Sequence, residues 1–217
     1  MTATVNADLF RIVAGFVSTE ETRYYLKGVF IHAHPVAGVY MVATDGHRLM
    51  IAHDETGTTT LDGVIVALDK ATLAATKCAA RGENHPRSLE IHGHGEVRVL
   101  AGDPDERRPV AIQHRAIVDG TFPDYRRVIP TPADAGAPWF NPAYLQDFAK
   151  AAQEIGKLRG QKDAAFRVTG ASDMPALVQF LNASHIFGVL MPIRGPQDVT
   201  LPSWLDAQPE QALMAAE

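Results

Sequence analysis

The stretch VATDGHRL, Val42 to Leu49, decides how this chain is read. An Asp-Gly pair between two apolar runs is a strong short-range hairpin signal, because glycine accepts the positive φ that a tight primed turn requires. The flanking runs, Val39–Thr44 and His47–His53, then form two antiparallel strands. A hairpin alone does not explain why two bulky polar side chains, His47 and Arg48, follow the turn at once. They are either solvated decoration or the lining of a site.

Working outward, a repeating unit emerges. Asn6 can cap a helix whose Leu9, Ile12, Val13, Phe16 and Val17 form one apolar stripe, and beyond Glu20-Glu21 the run Tyr24–His32 reads as a further strand. The block is a helix followed by three strands. It recurs with Gly63–Leu68 as a short β-rich run, Asp69 as the cap of a helix from Lys70 to about Arg81, and strands at Leu89–His92, Val97–Ala101 and Pro109–Val118. A third copy starts at Trp139-Phe140. Asn141 as cap and Pro142 at the first helical position open a helix with Leu145, Phe148, Ala152 and Ile155 on its apolar face. Strands follow at Phe166–Thr169, Leu177–Ala183 and His185–Met191. The pattern predicts an α+β chain of three βαβββ units, with the Pro-, Ala- and Gly-rich Thr131–Pro138 as a linker and a tail from Gly195 that matches no part of the unit.

The 217 residues are 46% hydrophobic and 21% charged, an ordinary soluble composition with room for a sizeable core. Cys78, the single cysteine, cannot form an intramolecular disulfide, which fits a cytoplasmic protein. The N-terminus lacks a basic start followed by an apolar core, and no apolar run reaches the roughly 18 residues of a membrane span, so neither export nor membrane anchoring is expected. The net charge of −5 is unevenly placed. From Gly195 onward there are four acids (Asp198, Asp206, Glu210, Glu217) and no Lys or Arg, leaving 21 acids against 20 bases before it. Overall acidity therefore does not exclude nucleic acid as a partner.

Catalysis finds little foothold. Two His-x-His pairs, His32/His34 and His92/His94, could share an ion on alternate strand positions, yet each lacks a third ligand, and exposed strand-end histidines are the simpler reading. There is no phosphate-binding glycine loop or nucleophile elbow, and Cys78 lies among alanines on a helix. No cofactor or metal is expected. Lys70, Lys77 and Arg81 in the second helix region stand against Asp69 alone, and Lys150, Lys157, Arg159 and Lys162 in the third outnumber Asp147 and Glu154, though a solvated helix face accounts for them by itself. A second constellation, DGTFPDYRRVIP from Asp119 to Pro130, is an extended connector by its proline punctuation, with arginines beside apolar residues as in a docking cleft.

RYYLKG (Arg23–Gly28), VATDGHRL, DGTFPDYRRVIP and VLMPIRG (Val189–Gly195) together resemble, in order, segments of the bacterial DNA polymerase III beta subunit, the replicative sliding clamp. The resemblance implies a clamp fold, with helices lining a central pore and antiparallel sheets outside. Residues 1–131 resemble the family's complete middle domain and 132–194 the second half of its last domain, leaving 195–217 as an acidic, flexible tail. By similarity a hydrophobic cleft for partner peptides comprises Leu26, Thr44, Gly46, His47, Arg48, Leu49, Pro123, Arg127, Val128, Val189, Leu190, Met191, Pro192, Ile193 and Arg194. Tyr24, Tyr25, Lys70, Lys77, Arg81, Lys150 and Lys157 would approach duplex DNA without sequence preference. The implied role is a non-catalytic processivity factor of a shortened, phage- or mobile-element-like kind. Its implied partners are DNA, a DNA polymerase, a clamp loader and other proteins with clamp-binding peptides. The alternative is a decoy or regulator that binds such peptides without encircling DNA, and a more remote one is a metal enzyme using the paired histidines. Family rings hold twelve units, so three per chain imply a homotetramer. The family's closing leucine is Gly195 here, and the tail beyond it, with Leu201, Trp204 and Leu205, could fold over the cleft.

Overall fold

The computed structural model describes residues 1–78, 86–103, 105–130, 138–161, 164–171 and 174–195. The first unit holds β1 (Thr2–Asn6), α1 (Ala7–Ala14), β2 (Val29–Ala33), β3 (Val39–Thr44) and β4 (Arg48–Asp54). After the short β5 (Thr58–Thr59), the second unit follows as β6 (Val64–Val66), α2 (Lys70–Ala75), β7 (Ser88–His92), β8 (Val97–Ala101) and β9 (Arg108–Gln113), with β10 (Ile117–Val118) behind it. The third comprises α3 (Pro142–Leu158), β11 (Phe166–Thr169), β12 (Ala176–Phe180) and β13 (Ile186–Leu190). No helix among the described residues is long and apolar enough to cross a membrane.

All three helices begin where their caps predict. Asn6 Oδ1 accepts from the Asp8 and Leu9 amides, Asp69 from Thr72, and Asn141 from Ala143, each satisfying a donor that the first helical turn leaves open. Several strand boundaries differ from the sequence reading. Thr2–Asn6, unassigned there, is β1. The first part of Tyr24–His32 is not extended, because Glu21–Leu26 coils into 3-10 turns. Pro109–Val118 is broken at Arg115, whose φ of 57° turns the chain from one sheet into the other. The second helix ends at Ala75 in the described residues, and Arg81 lies outside them.

The strands form two antiparallel sheets, β5-β1-β7-β8-β9 and β10-β6-β2-β3-β4-β13-β12-β11. Two features of this order matter. The first strand of each of the first two units is exchanged: β1 pairs with β7 of the second unit, while β6 pairs with β2 of the first. The third unit joins the larger sheet through β13 and β4, whose register sets Val189 opposite Leu49.

The larger sheet is apolar on both faces, which is why its strands read as nearly continuous hydrophobic runs. Val39, Met41, Ala43, Met50, Ala52, Ile186 and Leu190 face a core shared with the second sheet and with Phe10, Val13 and Phe16 of α1 and its exit and Phe148, Ala151 and Ile155 of α3. Their alternates Val42, Leu49, Ile51, Ile65 and Val189 face the other way, under Leu26, Phe122 and Tyr125. Burying each such large side chain contributes roughly 1.5–3 kcal/mol. Helices α1 and α3 thus cover one face of the larger sheet, and the turns ending at Leu26 together with the Phe122–Tyr125 part of the connector cover the opposite one.

A candidate peptide-docking groove

On that opposite face lies a mostly apolar groove of about 170 Å3, lined by Leu26, Thr44, Gly46, His47, Arg48, Leu49, Pro123, Asp124, Tyr125, Val128, Val189 and Met191. Three segments, distant in sequence, build it. The 3-10 turns ending at Leu26 deliver that side chain almost fully buried to the floor. The Asp45–Arg48 connection forms one wall. Thr44 and Leu49 are the last paired residues, so the link spans four residues and not the two of a tight primed turn. Asp45 makes the difference: its Oδ1 accepts from the His47 and Arg48 amides at 2.9 and 3.0 Å, and Gly46 takes a φ of 92°. The exit of β13 closes the groove, where the Met191 amide donates to the His47 carbonyl at 3.0 Å.

The remaining wall is the connector Phe122–Val128. Phe122 stacks on Phe30 with ring centroids 5.0 Å apart, and Tyr125 Oη lies 2.9 Å from His32 Nε2. His32 Nδ1 faces the Ala33 carbonyl at 2.9 Å, so the neutral ring donates there and accepts the tyrosine proton at Nε2. Burial, the largest influence, lowers the His32 pKa below its ordinary value and raises that of Tyr125. Both groups are held uncharged beneath the groove.

Not every residue expected in the cleft reaches it. Leu190 is fully buried in the main core, because it follows Val189 on a strand and must point to the opposite face. Arg127 is turned to solvent and pairs with Asp124 at 3.1 Å. Pro192, Ile193 and Arg194 lie beyond the lining at its β13 end, with Ile193 bridged to Trp139. Arg48 does border the groove, but its guanidinium is committed elsewhere. It pairs with Asp45 at 2.9 Å and with Asp147 of α3, and lies 4.8 Å from the centre of the Phe16 ring. Asp124 and Tyr125 line the groove without having been singled out individually. The PDYRRV motif contained them, but only the 3-10 turn at Tyr125–Val128 determines which of its side chains turn inward.

The residues expected near DNA are scattered over two regions. Tyr24 and Tyr25 meet edge to face, 5.7 Å apart, on the turns that carry Leu26. Lys70 and Lys77 are exposed on and just after α2. On α3, Lys150 pairs with Asp147 at 2.9 Å and Lys157 with Glu154 at 3.6 Å, carboxylates that Arg48 and Arg11 also contact. Burial pushes the Glu154 carboxyl up, but Arg11, Lys157 and Lys77 outweigh it and leave its pKa lowered. This places Lys77 close to α3. The histidine pairs are used internally: His34 accepts from the Val36 and Ala37 amides and stacks on His53, while His92 contacts Glu90. Among the described residues no three His, Cys, Asp or Glu side chains gather to hold a metal. The linker from Thr131 to Ala137 and the tail beyond Gly195 lie outside the described residues.

No protein-family model matches the chain. A curated beta sliding clamp of Caulobacter vibrioides is 36% identical over 119 residues, covering 52% of this chain and 29% of that protein. The beta sliding clamp of Escherichia coli is 31% identical over 133 residues, covering 61% and 34%. The chain thus matches about a third of the length of these relatives. A solved DnaN sliding clamp from Bartonella birtlesii, bound to griselimycin, superposes with a TM-score of 0.65 at 22% identity over 89% of this chain and 66% of that one. A DNA polymerase sliding clamp from Pseudomonas aeruginosa, solved with a ligand, gives 0.65 at 19% over 90% and 66%. The two-sheet, three-helix arrangement of the described residues is therefore the sliding-clamp fold.

Proposed function

We propose that this relative of the bacterial beta sliding clamps is itself a non-catalytic clamp, which encircles duplex DNA as a ring of four copies and tethers a polymerase or other DNA-acting enzymes through short peptides held in the groove. The single observation that carries the reading is the placement of that groove. Leu26, Leu49, Val128, Val189 and Met191 form an apolar cleft on the face of the larger sheet opposite the helices. A protein that wraps DNA with its helices would keep such a cleft available outside the ring. The apolar floor suits large side chains of an extended peptide, and the Met191 side chain can adapt to differing sequences.

Residues 1–131 supply one complete two-unit segment of the ring and residues 132–194 half of another, so four copies provide twelve units. DNA contact would come from Lys70, Lys77, Lys150, Lys157 and the Tyr24-Tyr25 turn, through phosphates and without reading sequence. Weak contact is sufficient, because a closed ring is retained topologically.

The test is a nicked circular duplex incubated with the chain and a clamp loader. Co-elution that disappears when the circle is linearised is expected. Co-elution indifferent to linearisation would overturn the ring, as would particles without a central hole in electron micrographs. Titration of a fluorescent polymerase-tail peptide tests the groove separately.

A further inference from the structure

The exchange of first strands has a definite form in the first two units. In each, the strand before the helix pairs on one side with the short strand that follows its own unit, as in β1 with β5 and β6 with β10. On the other side it pairs antiparallel with the strand after the other unit's helix, as in β1 with β7 and β6 with β2. The third unit repeats the first half of this pattern. Trp139, just before α3, bridges Ile193, just after β13.

The second half has no counterpart among the described residues. β11 occupies the place of β2 and β7, yet it ends the eight-stranded sheet, with β12 on one side and no described strand on the other. The Leu181 amide donates to the Ala165 carbonyl at 3.0 Å, so the antiparallel alternation turns Arg167 and Thr169 towards β12. The main-chain donors and acceptors of Phe166 and Val168 consequently point outward. Beside them runs a hollow of about 400 Å3 lined by Phe166, Arg167, Phe180 and Leu181. Leu181 is 48% exposed and Trp139 54%. An unprotected edge of this kind is a template for strand addition.

We propose that a second copy of this chain completes the third unit: the segment around Trp139 of each copy lies antiparallel on β11 of the other, about a two-fold axis. The addition continues the larger sheet by the same exchange that already joins the first two units. Because both contacts are made reciprocally, the association closes on itself as a dimer. The inference deepens the proposed ring and rests on its self-assembly, since two such pairs, joined elsewhere, supply four copies.

Cysteine trapping tests it. In a Cys78→Ser background, Trp139→Cys is combined in turn with Phe166→Cys, Arg167→Cys and Val168→Cys, and the oxidised chains are run on non-reducing gels. A covalent dimer that grows no further is expected in at least one combination. A ladder of larger species, or monomer in all three, would overturn the proposal. On the unaltered chain, hydrogen exchange at the Phe166 and Val168 amides should slow as concentration rises, and fast exchange at every concentration would likewise overturn it. The groove lies within one copy, so loss of peptide binding would refute the docking reading while leaving this one standing; a dimer that never forms a ring would refute the ring and also leave this one standing, whereas a ring whose chains give only monomer in all three cysteine combinations would refute this one alone.

Discussion

Arg48, the first residue of β4, donates through Nη1 to the carboxylate of Asp147 on α3, 99 positions away in the sequence. With Asp45 on its Nε, the Gly15 carbonyl at 3.5 Å from its Nη2 and the Phe16 ring beneath it, the guanidinium pins the third unit to the hairpin that walls the groove. Arg48→Ala should lower stability by about 2–3 kcal/mol, the scale of losing charge-assisted hydrogen bonds at a largely buried site. Arg48→Lys should recover less than half, because a lysine cannot fork between two carboxylates. Urea unfolding of Arg48→Ala, Asp147→Asn and the double variant would check this; strictly additive losses would disprove the coupling.

Val189 and Leu190 are neighbours with opposite tasks. Leu190→Ala should destabilise the fold by about 2–5 kcal/mol, as a truncation in a packed core, while peptide affinity at a folded temperature stays unchanged. Val128→Glu at the exposed rim should do the opposite, weakening peptide binding about tenfold with stability altered by no more than about 0.5 kcal/mol. Fluorescence anisotropy beside a denaturation curve reads both.

Gly188 on β13 lets α3 approach the sheet, since a Cβ there would overlap the Phe148 ring. Gly188→Ala should cost about 1–3 kcal/mol by overpacking, and adding Phe148→Leu should return part of it. A thermal melt in which the double variant is the least stable would contradict this account.

His32 and His185 both have pKa values lowered from 6.5, chiefly by burial. Folding therefore favours their neutral forms. Their contribution to stability is complete above about pH 6.5 and is lost as pH falls from there through the lowered folded values, because over that window the unfolded chain binds more protons. The urea midpoint should fall between pH 7.5 and 5.5, and by less in His32→Gln. Equal falls would remove His32 from the explanation.

Lys70 and Lys77 are exposed beside the helices, whereas Lys150 and Lys157 share carboxylates. Replacing Lys70 or Lys77 by Ala should reduce the slope of log affinity against log salt by about 0.9 for each phosphate that is no longer neutralised, with a smaller change for Lys150→Ala or Lys157→Ala. Identical slopes across the four variants would show that the ion pairs do not decide DNA binding.

Much of this protein is legible in the sequence because it is local. Asn6, Asp69 and Asn141 cap their helices with hydrogen bonds spanning only two or three residues, and the Asp45-Gly46 link needs nothing beyond its own side chain and a positive φ. The βαβββ rhythm follows from hydrophobic periods of the same short range. Where first strands pair is not local: β1 meets β7, and β6 returns to β2, through contacts that only chain reversal creates. Tertiary packing likewise decided that Val189 serves the groove while Leu190 serves the core, and that Arg48 is a pin between two units. A sequence states which side chains are apolar or charged, but their direction depends on the face each strand presents once the sheet is assembled, and their partners on segments brought together by that assembly.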